Sequence, residues 1–255
     1  MPPKDVAGTT EGYAAGVKAE VAIARTRADV AHRQAELEQH GLVACPRGNV
    51  SARIVAADLF VIAPAGVFLE KISPERMVLC DLEGIALPDV LGSERLPSAD
   101  AAVHSRIYRD VPSAQAIVHT DSPYAMAWAA RAATLPCLTV AAAEEFGGPV
   151  AVTVTDLAEP RALADAVVSA LASAPSVALV RGVGVFAVGA DLREAIRIAS
   201  CLEVAARHAF LVSQSGPLDA LALDDNVAAV LHERARRHAT STPDATAPGS
   251  GLTHN

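Results

Sequence analysis

Residues Leu96 to Tyr124, LPSADAAVHSRIYRDVPSAQAIVHTDSPY, constrain the fold more than any other stretch of the chain. Ser98 is a favourable N-cap for a helix that Val111-Pro112-Ser113 ends. Ala116 to His119 is a short apolar run typical of a buried strand. Ser122, followed by a proline, is the expected cap of the next helix. The stretch therefore predicts a helix–turn–strand–turn–helix unit.

Polar side chains recur at defined spacings within this unit. Asp100 and His104 are four residues apart, so both lie on one face of the first helix. His119 and Asp121 are two apart, so their side chains leave the strand on the same side. A carboxylate at a helix start and a His-x-Asp at a strand end predict a small polar site inside an apolar domain. His104 is expected to be structural, and Tyr124 is either a proton donor near the site or a core aromatic.

Composition limits the class of protein. The chain has 255 residues, 51% of them hydrophobic, which favours one domain with one large core. A net charge of -8 and only 4% aromatic residues argue against a nucleic-acid partner. No apolar run approaches the roughly 20 residues of a membrane span, and the first residues resemble no secretion signal. Four scattered cysteines without a C-x-x-C pair indicate reduced thiols, so we predict a cytoplasmic protein.

The pattern of the whole chain predicts an α/β fold in a single domain. Residues 1–14 are expected to form a flexible arm, 15–239 the domain, and 240–255 a polar, disordered tail. Helices are predicted at 15–40, 157–174, 191–213 and 218–239. Strands are predicted after the turn at 45–48 and at 58–63, 77–82, 116–119, 135–142, 150–154 and, as a pair, 177–188. The order suggests a central, mostly antiparallel sheet sandwiched between helix layers.

Five segments in order resemble the class II aldolase/adducin-head family, most closely its fuculose-phosphate aldolase-like members. They are GLVACPRGNVSAR (41–53), VIAPAGVFLEKI (61–72), VLCDLEG (78–84), PSADAAVHSRIYRDVPSAQAIVHTDSPYAMA (97–127) and ALVRGVGVFAVGADLREA (178–195). The resemblance implies an antiparallel-rich sheet between helix layers and a homotetramer around a fourfold axis. It also implies a divalent metal, often zinc, that polarises a hydroxy-carbonyl substrate during carbon–carbon cleavage.

The catalytic pattern of that family is altered here. Asp100 stands where members have a glutamate, and His119-Thr120-Asp121 replaces their His-x-His. Gly182-Val183-Gly184 replaces an Asn-His-Gly, so one of three imidazoles remains, which argues against tetrahedral zinc. The remaining candidate metal ligands, Asp100, His119 and Asp121, suit Mg, Mn or Fe(II). The alternative is that no metal binds, with Asp100 favoured by the helix dipole and Asp121 as a cap.

The residues that bind the substrate in that family are altered in this chain too. The family's phosphate cradle loses three hydroxyls, at Pro46, Ala65 and Ala99, which argues against a sugar phosphate. Arg47 adds a guanidinium that could hold a planar carboxylate, unless it sits in solvent. The candidate substrate-binding residues are Arg47, Gly48, Asn49, Ser51, Ala65, Gly66, Ser98 and Ala99.

Two function classes follow. The first is a lyase, decarboxylase-like or aldolase-like, that acts on a small hydroxy-carbonyl or hydroxy-carboxylate substrate with Asp100, His119 and Tyr124 as catalytic candidates. The second is a non-catalytic homologue that binds a ligand or serves as a scaffold, which Val183 favours. Asp100 and Asp121 are expected to face one another near His119. At least one carboxyl should then titrate above its usual pKa, unless a cation or protonated His119 lies between them.

Overall fold

A central sheet carries three of the candidate residues, Asn49, Ser51 and His119. The structure, a computed structural model, describes residues 7–43, 48–66, 71–88, 95–159, 161–216 and 221–241. Its helices are α1 (Ala7–Gln39), α2 (Ala101–Asp110), α3 (Pro123–Arg131), α4 (Val140–Phe146), α5 (Ala162–Ser173), α6 (Leu192–Ser213) and α7 (Asp225–Ser241). Its strands are β1 (Asn49–Ile54), β2 (Leu59–Ile62), β3 (Val78–Asp81), β4 (Ala116–Thr120), β5 (Thr134–Leu135), β6 (Val150–Thr153), β7 (Val177–Val180) and β8 (Gly184–Gly189).

The eight strands of the described residues lie in the order β3-β2-β1-β4-β8-β7-β6-β5. The β6–β7 pair is parallel, and every other neighbouring pair is antiparallel. The predicted α/β domain with a mostly antiparallel sheet is therefore confirmed. Register places Asn49 of β1 opposite His119 of β4, and His119 opposite Phe186 of β8. These three side chains consequently form a row on one face of the sheet.

Helices cover both faces of the sheet. Strand alternation sends Val118 and Ala187 into one apolar cluster, which helices α1, α3, α4 and α6 cover. Ile117 and Phe186 belong to the cluster on the opposite face, beneath α2 and α5. The row formed by Asn49, His119 and Phe186 therefore opens towards α2.

Two segments differ from the sequence prediction in type or extent. The strand predicted over 135–142 is wrong beyond Leu135, because α4 begins at Val140. The Thr139 hydroxyl caps α4 by accepting a hydrogen bond from the Ala142 amide at 3.2 Å. The helix predicted from 157 begins only at Ala162, after a turn in which the Asp156 carboxylate accepts from an amide two residues on.

Helix α1 begins at Ala7, eight residues before the predicted start, so the arm predicted at 1–14 is partly helical. Helix α7 begins at Asp225 and reaches Ser241, whereas 218–239 was expected. Residues 1–6 and 242–255 lie outside the described residues, so the flexibility expected of both ends stays a prediction. None of the helices that the structure describes is long and apolar enough to span a membrane.

Neither predicted serine caps its helix through its hydroxyl. Asp100 occupies the N-cap position of α2, and the Ser98 hydroxyl instead accepts from the Asp100 amide at 3.3 Å. Ser122 does occupy the N-cap position of α3, but its side chain makes no capping hydrogen bond. The carboxylate of Glu203, on α6, accepts from the amides of Tyr124 and Ala125 at 2.9 Å each. An anion is favourable at a helix N-terminus, so a residue distant in the chain replaces the local cap.

Burial raises the pKa of Glu203, whereas its two amide partners and Arg207 oppose that rise. Because this carboxylate bridges two helices, it fixes the start of α3 against α6. That start directly follows the end of β4, where the candidate site lies.

Candidate functional site

Asp100 and His119 form a direct pair at the end of β4. The Asp100 Oδ2 lies 2.9 Å from the His119 Nδ1 and also accepts a hydrogen bond from the Asn49 Nδ2 at 2.6 Å. The β1–β4 register supplies Asn49 and His119, while the first turn before α2 supplies Asp100. His119 is 8% exposed, and the Asp100 side chain is 23% exposed. The carboxylate is thus the more accessible member of the pair.

Asp100 is ionised in this pair. Burial raises its pKa, but the hydrogen bond and charge of His119, helped by His104 and Asn49, outweigh burial and lower the pKa to about 2. The expected rise is therefore not found at Asp100, because His119 lies against the carboxyl. A carboxylate accepts hydrogen bonds and cannot donate one, so we assign a proton to the His119 Nδ1 in this contact. In the neutral form of the ring, the lone pair is then on Nε2.

The rest of the His119 ring is enclosed by β8. The ring of Phe186 stacks on it face to face, with centroids 4.2 Å apart and planes 3° apart. A Cβ atom at Gly184 would lie 2.2 Å from the Thr120 carbonyl oxygen and 3.1 Å from the His119 Nε2. Only glycine lets β8 approach so closely. The His119 Nε2 is buried and has no hydrogen-bond partner among the described residues.

The described residues do not fit a metal centre with three ligands. No three His, Cys, Asp or Glu side chains among them are grouped so as to hold an ion. Asp100 and His119 direct their facing atoms at each other, and the buried Asp121 Oδ1 has no hydrogen-bond partner among the described residues. Val183 packs against the apolar cluster beneath α2 and α5. A metal bound by Asp100, His119 and Asp121 therefore stays a prediction.

A second polar network lies behind the pair. The Ser51 hydroxyl is 2.7 Å from the His104 Nδ1 and 2.6 Å from the Tyr108 hydroxyl, and all three residues are buried. Ser51, a candidate substrate ligand, thus has its hydroxyl engaged inside the protein. His104 is internal, as expected for a structural histidine, and burial lowers its pKa to about 3.

The remaining candidate substrate residues form an edge beside Asp100. Pro64 pairs with Pro97, the Ser98 amide donates to the Ala63 carbonyl, and the Ala65 amide donates to the Leu96 carbonyl. This pairing brings together the exposed or half-buried residues Ala65, Gly66, Ser98 and Ala99. The Gly48 carbonyl accepts from the Gln34 side chain at 2.7 Å, which fixes the entry to β1. Arg47 lies outside the described residues.

Tyr124 has its contacts on α6. Its ring is 5.7 Å from the ring of Phe210 and lies beneath the Arg207 guanidinium at 5.5 Å. The structure therefore brings together Asn49, Asp100 and His119, and it places Tyr124 in a different set of contacts.

Sequence reasoning missed Phe186, Gly184 and Glu203. The alternation in GVFAVG indicates a strand, but only the β4–β8 register reveals that Phe186 faces His119. Glycine at 184 was a signal of close backbone approach, although its partner strand was not evident from the sequence.

Comparison with known proteins shows one family. The family model for the class II aldolase and adducin N-terminal domain matches residues 28–210, which contain all of the elements from β1 to β8. That segment includes Asn49, Asp100, His119 and Phe186.

Solved structures of similar fold include several aldolases. An L-fuculose 1-phosphate aldolase is 22% identical with a TM-score of 0.75, and the match covers 83% of this chain and 96% of the other. The L-fuculose-1-phosphate aldolase from Thermus thermophilus is 27% identical with a TM-score of 0.64, over 76% and 98% of the two chains. YgbL from Klebsiella pneumoniae, a candidate aldolase/epimerase/decarboxylase, is 24% identical with a TM-score of 0.64. The match covers 74% of this chain and 89% of the other.

The buried His104 makes stability depend on pH. Its pKa falls from 6.5 in the unfolded chain to about 3 in the fold, so its contribution is present above pH 6.5 and is lost as pH falls. We expect this group to remove about 2 kcal/mol of unfolding free energy between pH 7 and pH 5. Urea unfolding at both values should show that loss to be absent in His104→Gln and retained in His208→Gln, which alters an exposed histidine. Equal pH dependence of the two variants would contradict this account.

Proposed function

Because the chain belongs to the class II aldolase and adducin N-terminal domain family, we propose that it is a lyase-type enzyme that cleaves a carbon–carbon bond. Its substrate is a small hydroxy-carbonyl or hydroxy-carboxylate compound. The observation that supports this proposal is the 2.9 Å contact between the ionised Asp100 carboxylate and the His119 Nδ1. A carboxylate that fixes one ring nitrogen leaves the other free to exchange a proton with a substrate.

In the proposed reaction, His119 is both base and acid. Its Nε2 takes the proton of the substrate hydroxyl, the oxygen forms a carbonyl, and the neighbouring carbon–carbon bond breaks. The electron pair of that bond stays on the leaving carbon, which then receives the proton from Nε2. Asp100 stabilises the imidazolium between the two transfers, as carboxylates do in catalytic triads. Since Nε2 is buried, the substrate must displace the groups that cover it.

The substrate we propose lacks a phosphate group. Ala65 and Ala99 offer no hydroxyl, and the hydroxyl of Ser51 is hydrogen-bonded in the interior. The exposed edge formed by residues 65–66 and 98–99 therefore offers backbone and one serine hydroxyl. For a hydroxy-carboxylate, we propose Arg47 as the group that binds the carboxylate, through its planar fork of donors.

Metal chemistry has no step in this proposal, because the described residues do not fit a three-ligand centre. A divalent ion such as Mg, Mn or Fe(II) would require Asp121 to join the Asp100–His119 pair.

Zinc content tests this part of the proposal. Since Val183 and Asp121 stand where the family has imidazoles, protein purified without added metal should hold far less than one zinc per chain. Elemental analysis of the purified chain measures this directly. Stoichiometric zinc that survives dialysis against a chelator would show that other residues complete a metal site.

Paired substitutions test the acid/base role. Asp100→Asn and His119→Ala should each lower kcat by about 100-fold or more on hydroxy-acid and hydroxy-ketone substrates, because either change removes the proton-transfer couple. The matched controls are Asp29→Asn and His208→Ala, which alter exposed residues of the same types. Tyr124→Phe tests the third catalytic candidate in the same assay. Full activity in both Asp100→Asn and His119→Ala would place the chemistry elsewhere.

A second candidate function is ligand binding without catalysis. It is favoured by Val183 in place of a family ligand and by the enclosure of the His119 Nε2. A screen by thermal shift discriminates the two functions. A ligand that stabilises wild type and His119→Ala equally, and is not turned over, supports the binding role.

The assembly we propose is a homotetramer in the cytoplasm. Exposed apolar side chains lie on α6, at Val204 and Leu211, and on α7, at Val227 and Val230. Free thiols at Cys80, Cys137 and Cys201 agree with a reducing compartment.

Light scattering measures the assembly. At micromolar concentration we expect a mass of four chains, each of 26.2 kDa, because subunit contacts would cover these apolar faces. A monomer under these conditions would contradict the proposal.

A further inference from the structure

The orientation of His119 depends on contacts with three neighbours. The Asp100 carboxylate accepts a hydrogen bond from the His119 Nδ1. The Asn49 Nδ2 lies 3.5 Å from that nitrogen and donates a hydrogen bond to the Asp100 carboxylate. Both contacts are made at one ring nitrogen. They leave rotation of the ring about its bond to Cβ restrained at Nδ1 alone.

Phe186 supplies the restraint that acts on the face of the ring. Its side chain is fully buried, directly opposite His119 in the β4–β8 register, and parallel to the imidazole within 3° at 4.2 Å. Phe186 cannot easily turn away, because the His104 ring meets it edge-on at 6.2 Å. His104 is itself fixed by the Ser51 hydroxyl at 2.7 Å. A chain of buried contacts thus extends from β1 through α2 and β8 to the face of His119.

Gly184 lies near the opposite edge. A Cβ atom at 184 would lie 3.1 Å from the Nε2, so glycine leaves that space free of a side chain. The ring therefore has a carboxylate at one edge, a space without a side chain near Nε2, and an aromatic ring on one face.

We infer that Phe186 is the positioning residue of His119. In the proposed reaction, which this inference presupposes, Phe186 keeps the imidazole plane fixed so that Nδ1 stays on Asp100 while Nε2 exchanges its proton. The hydrogen bond from Nδ1 to Asp100 fixes the tautomer, as such bonds do for metal-binding histidines, and the stacked Phe186 adds a restraint on the ring face. A phenylalanine that only filled the core would be replaceable by an aliphatic side chain without any effect on the imidazole.

The test compares two substitutions of the same type. Phe186→Leu removes the stacked ring. Phe60→Leu makes the same change in the same apolar cluster, where Phe60 is fully buried and packs on Tyr108 at 5.3 Å. Both variants lose core packing, so a difference between them reports on His119. Phe186→Met, whose flexible side chain adapts to an irregular cavity, replaces Phe186→Leu if the latter does not fold, with Phe60→Met as its matched control.

The first measurement needs no substrate. In full-length protein with labelled histidine, the ring signals of His119 are assigned by their loss in His119→Ala. Wild type and Phe60→Leu should show His119 as one tautomer with its proton on Nδ1 and with ring protons shifted upfield by the stack. Phe186→Leu should remove that upfield shift and mix the two tautomers. An unchanged tautomer in Phe186→Leu would overturn the inference, whatever reaction the protein catalyses.

The second measurement uses turnover. Phe186→Leu should lower kcat by about 10- to 100-fold with KM altered less than about threefold, because a misplaced base affects the transition state rather than binding. Phe60→Leu should keep kcat within about threefold of wild type. Equal kcat losses in the two variants would overturn the positioning role. If His119→Ala retains full kcat, the proposed function fails, and the tautomer measurement alone then decides the inference about Phe186.

Discussion

The hydrogen bond between Asp100 and His119 joins the parts of the fold that the site requires. Asp100 belongs to the turn that starts α2, His119 belongs to β4, and Asn49 of β1 bonds to the same carboxylate oxygen. Three elements from separate parts of the chain thus meet at one oxygen atom. A buried carboxylate is unfavourable unless its charge is compensated, and here an imidazole and an amide provide that compensation. The low pKa of Asp100 shows that compensation outweighs burial.

Other features of the fold support this contact from a distance. Glu203 fixes the start of α3 against α6 immediately after β4 ends. The Ser51–His104–Tyr108 network pairs three polar atoms beneath α2, whereas the buried His104 Nε2 has no partner among the described residues. Each is a tertiary contact between residues far apart in the chain. The base of the site is consequently held by tertiary hydrogen bonds, while the edge at residues 65–66 and 98–99 lies in turns and loops.

Much of this architecture was predictable from local patterns. The apolar run predicts β4, and the proline at 112 predicts the turn before it. The His-x-Asp is placed at the end of that strand by the same run. The structure has the helix–strand–helix order expected there. The family resemblance implied that Asp100 and Asp121 face one another near His119, whereas the structure pairs Asp100 directly with His119. The segment after Leu135 was misread, because its alternating apolar residues resemble a strand until the Thr139 cap begins a helix. The stack of Phe186 on His119 and the cap from Glu203 depend on register and helix packing, which short-range sequence patterns do not encode.

Val183 bears on how a metal site could be engineered into this protein. The half-buried side chain packs against the apolar cluster beneath α2 and α5, at the position where the resemblance implies a metal-binding imidazole. A histidine placed there alone would put a polar ring against apolar side chains, with no other ligands among the described residues grouped around an ion. An unsatisfied buried polar group costs about 1–3 kcal/mol, and a half-buried one bears part of that cost. A metal site would therefore need several substitutions made together rather than one.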